Sequence, residues 1–181
     1  MSLLYITGRN GHFQCGLGEY LNSLTGNFSG ISLDPVFLRQ SFDEQVAVIQ
    51  TAIESSAEHK IVANSYGGYL LMHALIGQAE VEHDILLLSP VLGKAISLES
   101  MSVSRPPGAN RLLEALEQGR IAKPRHLEIH TGEVDHSCCP LLAAKFAESI
   151  PADRFELISG QGHMIDRPIV KGIIDDFITR R

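Results

Sequence analysis

Short apolar runs alternate with longer amphipathic stretches along the whole chain, and few architectures accept that order. Runs of strand length fall at 3–7, 30–33, 60–64, 85–88, 126–130 and 154–158. Repeated strand-helix units pack as a parallel sheet with helices on both faces. The expected fold is therefore α/β: a three-layer sandwich around a six-stranded, mainly parallel sheet. No internal repeat or low-complexity tract interrupts the pattern.

Helices are read from spacing. Phe42, Val46, Ile49 and Ile53 share one face, and Ser41 with Glu44 three residues on forms a capping-box start. Leu142, Phe146 and Ile150 repeat at i, i+4 and i+8 behind Pro140, as do Ile169, Ile173 and Phe177 behind Pro168. Proline is favoured in a first helical turn. Leu70, Leu71 and Leu75 read as helix core. Between the fourth and fifth strands, 89–123 holds a Pro106-Pro107-Gly108 turn and a short helix around 112–117, expected as a small flap over one edge.

The 181 residues are expected to form one domain, 1–181. A chain of this length buries roughly 70% of its unfolded surface, so its core needs neither disulfides nor metals. With 15 Lys plus Arg against 21 Asp plus Glu, the net charge is −6. That balance opposes any partner whose phosphates must be neutralised, so no nucleic acid is expected. The longest uninterrupted apolar runs, such as Leu3 to Ile6, have four residues, against about 20 for a membrane span. The first residues also lack the basic stretch of a leader, and a cytoplasmic location is expected. Three cysteines, with Cys138 and Cys139 adjacent, suit reduced thiols better than a disulfide framework.

Chemistry concentrates at Ala63-Asn64-Ser65-Tyr66-Gly67, which follows a buried strand and opens a helix. A serine on such a strained turn becomes an exposed nucleophile, and it needs small residues two places before and after it. Ala63 and Gly67 meet that need. The Tyr66 N–H lies at a helix N-terminus, where unpaired amides and the macrodipole favour a developing oxyanion.

The chain resembles the α/β-hydrolase family, over nearly its whole length. In an open parallel sheet the site forms at the carboxyl ends of the strands. Asp135 follows the fifth strand in Gly132-Glu133-Val134-Asp135, similar to the family's Gly-x-x-Asp acid turn. His163 follows the sixth in Gly160-Gln161-Gly162-His163, similar to its Gly-x-Gly-His loop. The resemblance implies that Ser65 attacks a carbonyl, His163 moves the proton, Asp135 orients the imidazole, and water releases the acyl group. It also implies a second oxyanion donor in the 7–12 loop, the backbone N–H of Arg9 or Asn10. Thr7-Gly8 stands there in place of the family's usual His-Gly, and Ala63 where glycine is commoner. In size the chain is similar to the small, nearly lidless serine hydrolases, among them the retinoblastoma-binding-protein-9-like group and compact bacterial esterases. That implies a shallow pocket covered only by 89–123 and a small-molecule acyl substrate.

Each role has competitors. Ser65 alone could simply cap the following helix. Glu133 and Asp166 compete with Asp135 for the acid, and His136 competes with His163 for the base. Asp84 and Asp153 precede their strands, which places them at the opposite edge of the sheet. The Arg9 side chain reads either as a contact for an acidic substrate group or, more commonly, as a surface arginine, and His12 carries the same choice. Cys15, Cys138 and Cys139 lack the paired spacing of a structural zinc site, so no metal is expected. Gly16-Leu17-Gly18 lacks the third glycine of a dinucleotide loop, and no Walker A or His-Glu-x-x-His motif occurs, so no cofactor is implied. The expected activity is serine hydrolysis of a carboxylic ester, with thioester or amide as variants. The alternative is a non-catalytic binding or scaffold protein retaining the fold. Acyl transfer to another acceptor and carbon-carbon cleavage use the same residues and stay open.

Overall fold

The computed structural model describes residues 2–55, 59–93, 95–97 and 102–180, with backbone alone at 95–97 and 102–104. Its sheet strands are β1 (Ser2–Arg9), β2 (Asn27–Leu33), β3 (Lys60–Asn64), β4 (Val81–Leu88), β7 (Pro124–Gly132) and β8 (Arg154–Ile158). They lie in the order β2-β1-β3-β4-β7-β8, and every pairing is parallel. The helices of the sandwich are α1 (Leu17–Leu24), α2 (Phe42–Ser55), α3 (Tyr66–Ala74), α5 (Pro140–Ser149) and α6 (Arg167–Thr179).

Alternation along the strands divides the core in two. Leu4, Ile6, Ile61, Ala63, Ile85 and Leu87 face the layer of α2, α3 and α5. Their neighbours Leu3, Tyr5, Val62, Leu86 and Leu88 face Leu21 of α1 and Ile173, Ile174 and Phe177 of α6. The period of two thus fills both faces of one sheet, each fully buried aliphatic side chain contributing about 1.5–3 kcal/mol. Every residue of α3 is buried, which explains why it is apolar almost all round. Within it His73 stands edge-on to Phe42 and Tyr69, ring centroids 4.9 and 4.6 Å away, with neither ring nitrogen hydrogen-bonded. Burial pushes its pKa down to about 3, so the ring is neutral.

The connection 89–123 holds an antiparallel ribbon, β5 (Ala95–Ser97) with β6 (Ser102–Ser104), and helix α4 (Ala109–Glu117). Residues 94 and 98–101 of the expected flap lie outside the described residues. Leu112, Ala115 and Leu116 of α4 join the core on the α2–α3 side.

A polar cluster is buried on β7. Glu128 is fully buried, 2.9 Å from His126 Nε2, 3.2 Å from His130 Nε2 and 3.3 Å from Arg180 Nε. Burial pushes this carboxyl up, and the histidine hydrogen bonds and the Arg180 charge more than reverse it, leaving the pKa lowered to about 2. Alternation places His126, Glu128 and His130 on one face of the strand, where each imidazole Nε2 meets one Glu128 oxygen.

Candidate active site

Ser65 joins β3 to α3 with φ 51° and ψ −120°, a conformation that L residues rarely adopt. Two contacts hold it there. Its N–H donates to Leu88 O at 3.0 Å, and its carbonyl accepts from Val91 N at 3.1 Å. A Cβ on Gly67 would collide with the carbonyl oxygens of Thr7 and Ile6, so only glycine lets α3 start this close to β1.

The strained turn aims Ser65 Oγ at His163, whose Nε2 is 2.9 Å away. On the other side of the ring, Nδ1 lies 2.9 Å from Asp135 Oδ2 and 3.2 Å from Oδ1. An ionised carboxylate only accepts, so the proton sits on Nδ1 and leaves Nε2 to accept from the serine hydroxyl. Asp135 is itself buried. Its Oδ1 accepts from Ser137 N at 2.8 Å and Cys138 N at 2.7 Å, and Oδ2 accepts from Thr131 Oγ1 at 3.3 Å. These donors fix the carboxylate before the imidazole reaches it.

The competing residues hold other positions. Glu133 accepts from Ser159 Oγ at 2.9 Å and Gly160 N at 3.1 Å, tying the acid loop to the histidine loop, and these bonds lower its pKa. Gly132 allows the same approach, since a Cβ there would collide with Gln161 and Gly162 carbonyls. Asp166 bonds Gln161 twice, at 2.7 Å through its N–H and 3.2 Å through its carboxylate, closing the loop around His163. His136 is exposed. Asp84 pairs with Arg125 at 2.8 Å and Asp153 accepts from Leu127 N at 3.0 Å, both at the far edge of the sheet.

Of the expected oxyanion donors, Tyr66 opens α3, so its N–H is among the donors a helix leaves without an internal acceptor. Asn10 must be corrected: its N–H donates to Leu33 O at 2.8 Å, which commits it to the β1–β2 edge. Arg9 ends β1, and its guanidinium lies over the Tyr66 ring, 5.4 Å from the centroid. Gly8 lies against the serine, a Cβ there coming 3.3 Å from Ser65 Cβ.

The sequence reading missed Ser89, at the end of β4. It is strained at φ 42° and buried, and its N–H donates to His130 O at 2.7 Å. The expected pocket beneath 89–123 has other walls. A cavity of about 300 Å³ is bordered by Asn64, Ser89 and His163, with apolar walls of Leu17, Tyr20, Met164, Ile165 and Val170. Of the 89–123 connection only Ser89 lines it among the described residues, and its apolar walls come from α1, the loop after β8 and α6 instead. Cys138 is buried, its thiol bonded to Pro90 O and pushed well up in pKa by burial, while Cys15 is exposed. No group of three metal-ligating side chains stands together among the described residues.

No family model matches the chain, and no curated protein matches it in sequence. Solved structures match its fold. A monoacylglycerol lipase from Paleococcus ferrophilus aligns with TM-score 0.71 at 15% identity, over 98% of this chain and 93% of that one. Alpha/beta hydrolase domain-containing protein 10 from mouse aligns at 0.70 and 14%, over 98% and 89%. The chain has the α/β-hydrolase fold. The ydeN gene product from B. subtilis, similar at TM-score 0.64 and 16% identity, is covered over 100% of its length by 99% of this chain. Within this α/β-hydrolase sheet, Ser65, Ser89, Asp135 and His163 follow β3, β4, β7 and β8 and meet at one edge, where such sheets place their sites.

Proposed function

We propose that this protein is a serine hydrolase of carboxylic esters, with 1–181 acting as one domain. The observation that carries the reading is the continuous line from Ser65 Oγ through His163 to Asp135, with both outer contacts at 2.9 Å. His163 Nε2 takes the Ser65 proton as Oγ attacks the substrate carbonyl, and Asp135 stabilises the imidazolium. The oxyanion then rests on the Tyr66 and Arg9 amides, Arg9 being the donor left once Asn10 is committed to Leu33. Returned to the leaving alkoxide, the proton completes ester cleavage and an acyl-Ser65 forms. Water, losing a proton to His163, releases the acid and restores the serine. Every transferred proton has a side chain to hold it, so the proposed cycle uses no cofactor. A lipase and other esterases share the fold at low identity, which is consistent with this chemistry. No helix of the described residues is long and apolar enough to cross a membrane. We place the enzyme in the cytoplasm, on its three unpaired cysteines.

The test is mass spectrometry of the protein quenched during turnover of 4-nitrophenyl butyrate. A butyryl adduct on the peptide carrying Ser65, absent from Ser65→Ala and His163→Ala, is the expected result. Absence of both adduct and turnover in folded wild-type protein supports the non-catalytic binding reading instead.

A further inference from the structure

The cavity bordered by His163 has a charge pattern that ester hydrolysis alone does not require. One wall is the first two turns of α6, where Arg167 and Lys171 both line it. Residues four apart on a helix lie on one face, about 6 Å apart. Although acidic residues outnumber basic ones 21 to 15 in the chain, none of the cavity's lining residues is Asp or Glu. Among the described residues no carboxylate forms an ion pair with either cation. The two nearest acids in sequence take hydrogen bonds from other groups: Asp166 from Gln161, and Asp175 from the hydroxyl of Tyr20, itself a cavity residue, at 2.5 Å. Lys171 Nζ instead lies 4.3 Å from the centre of the Tyr20 ring, which holds it at the cavity wall.

Arg167 is also the first residue of α6, where a cation faces the positive end of the helix dipole. That placement is unfavourable for helix stability and favourable for an anion brought to it. The same cavity is lined by His163 and by apolar side chains, Leu17, Ile165 and Val170 among them. Arg167 is four positions beyond His163, so their Cα atoms are at most about 14 Å apart. An apolar segment of limited length, ending in a negative group, matches a cavity lined in this way.

We propose that the preferred substrate is an ester whose acyl chain carries an anionic group at its far end, read by Arg167 and Lys171. The proposal rests on the hydrolase reading for its reaction, and on the cavity alone for its selectivity. The apolar chain lies along Leu17, Tyr20 and Val170, and the terminal anion takes the guanidinium and ammonium.

Two measurements separate the selectivity from the reaction. The first compares kcat/KM for 4-nitrophenyl octanoate with that for mono-4-nitrophenyl octanedioate, which has the same chain length and a terminal carboxylate. Wild-type protein is expected to favour the anionic ester about tenfold, and the ratio is expected to fall toward one in Arg167→Gln/Lys171→Gln and in high salt. Taking the ratio cancels any general loss of packing in the variant. The second is an NMR titration of Ser65→Ala protein with methyl octanoate and monomethyl octanedioate, which reads binding without turnover. Turnover of both esters with no anionic preference, or a preference that survives the double substitution, overturns the proposed selectivity and leaves the hydrolase reading intact. Tighter binding of the anionic ligand, lost with Arg167→Gln/Lys171→Gln, in a wild-type protein that turns over neither ester supports the anion subsite and removes the hydrolase reading. Equal binding of the two ligands overturns the subsite whatever the turnover.

Discussion

Asp135 Oδ2 lies 2.9 Å from His163 Nδ1, while its other oxygen is occupied by the Ser137 and Cys138 amides at 2.8 and 2.7 Å. The carboxylate is thus anchored by its own loop and presents one edge to the imidazole. Because two amides demand an acceptor at Oδ1, Asp135→Asn turns its NH2 toward the ring and forces the wrong histidine tautomer. Its kcat is expected to fall on the order of 10⁴-fold. Glu133→Gln, two residues away, keeps an acceptor for Gly160 N and is expected to stay within a few-fold of wild type. Steady-state kinetics of the two variants checks the assignment, and equal losses contradict it.

Strain at Ser65 gives a stability prediction. At φ 51° a side chain is costly, by roughly 1–3 kcal/mol, and alanine keeps that cost where glycine relieves it. Glycine's greater freedom in the unfolded chain returns part of the gain. Ser65→Gly should therefore exceed Ser65→Ala by about 1 kcal/mol in urea denaturation at unchanged m value, although both are inactive.

His73 makes the fold acid-sensitive. Its folded pKa is lowered to about 3 from a usual 6.5, so as pH falls below 6.5 the unfolded chain takes up a proton that the folded chain refuses. Stability from this group is complete above pH 6.5 and is lost progressively down to pH 3. Between neutral pH and pH 5 the loss amounts to about 2 kcal/mol. In His73→Phe that part of the loss should vanish, measured as a flatter dependence of the denaturation midpoint on pH. An unchanged slope contradicts the prediction.

Glu128 acts in a lower window. With its folded pKa lowered to about 2, its contribution is present above the unfolded value near 4.5 and disappears as pH falls through 2. Glu128→Gln leaves Arg180 and two histidines facing a neutral group, at a cost of about 3 kcal/mol near pH 7. The gap between variant and wild type, read by thermal melts, should narrow from pH 5 to pH 3.

The parts of the fold that were legible in sequence are those fixed by local pattern. The runs at 60–64 and 154–158 coincide with β3 and β8, and those at 3–7, 30–33, 85–88 and 126–130 fall inside the other four strands. β4 and β7 begin earlier than expected, at Val81 and Pro124, because polar residues such as Glu82 and Asp84 pair at the solvent edge without an apolar signal. Helix α1 was missed because its eight residues begin among glycines, and only Leu21 and Gly18 are buried. Ser65, Asp135 and His163 were readable because each sits in a short motif after a strand. The walls of the cavity were not, since Leu17 and Val170 come together only when α1 and α6 pack on the same face of the sheet. Asn10 was misread because a backbone amide's partner, here Leu33 O, depends on a neighbouring strand rather than on its own loop.

Labelling with a fluorophosphonate reads directly whether Ser65 is an activated nucleophile, because such probes react only with a serine made nucleophilic by its surroundings. Purified wild-type protein is expected to carry the phosphonate on Ser65, with labelling abolished in Ser65→Ala and His163→Ala and greatly slowed in Asp135→Asn. A folded wild-type protein that takes no label, or one whose label persists in His163→Ala, contradicts the proposed serine hydrolase.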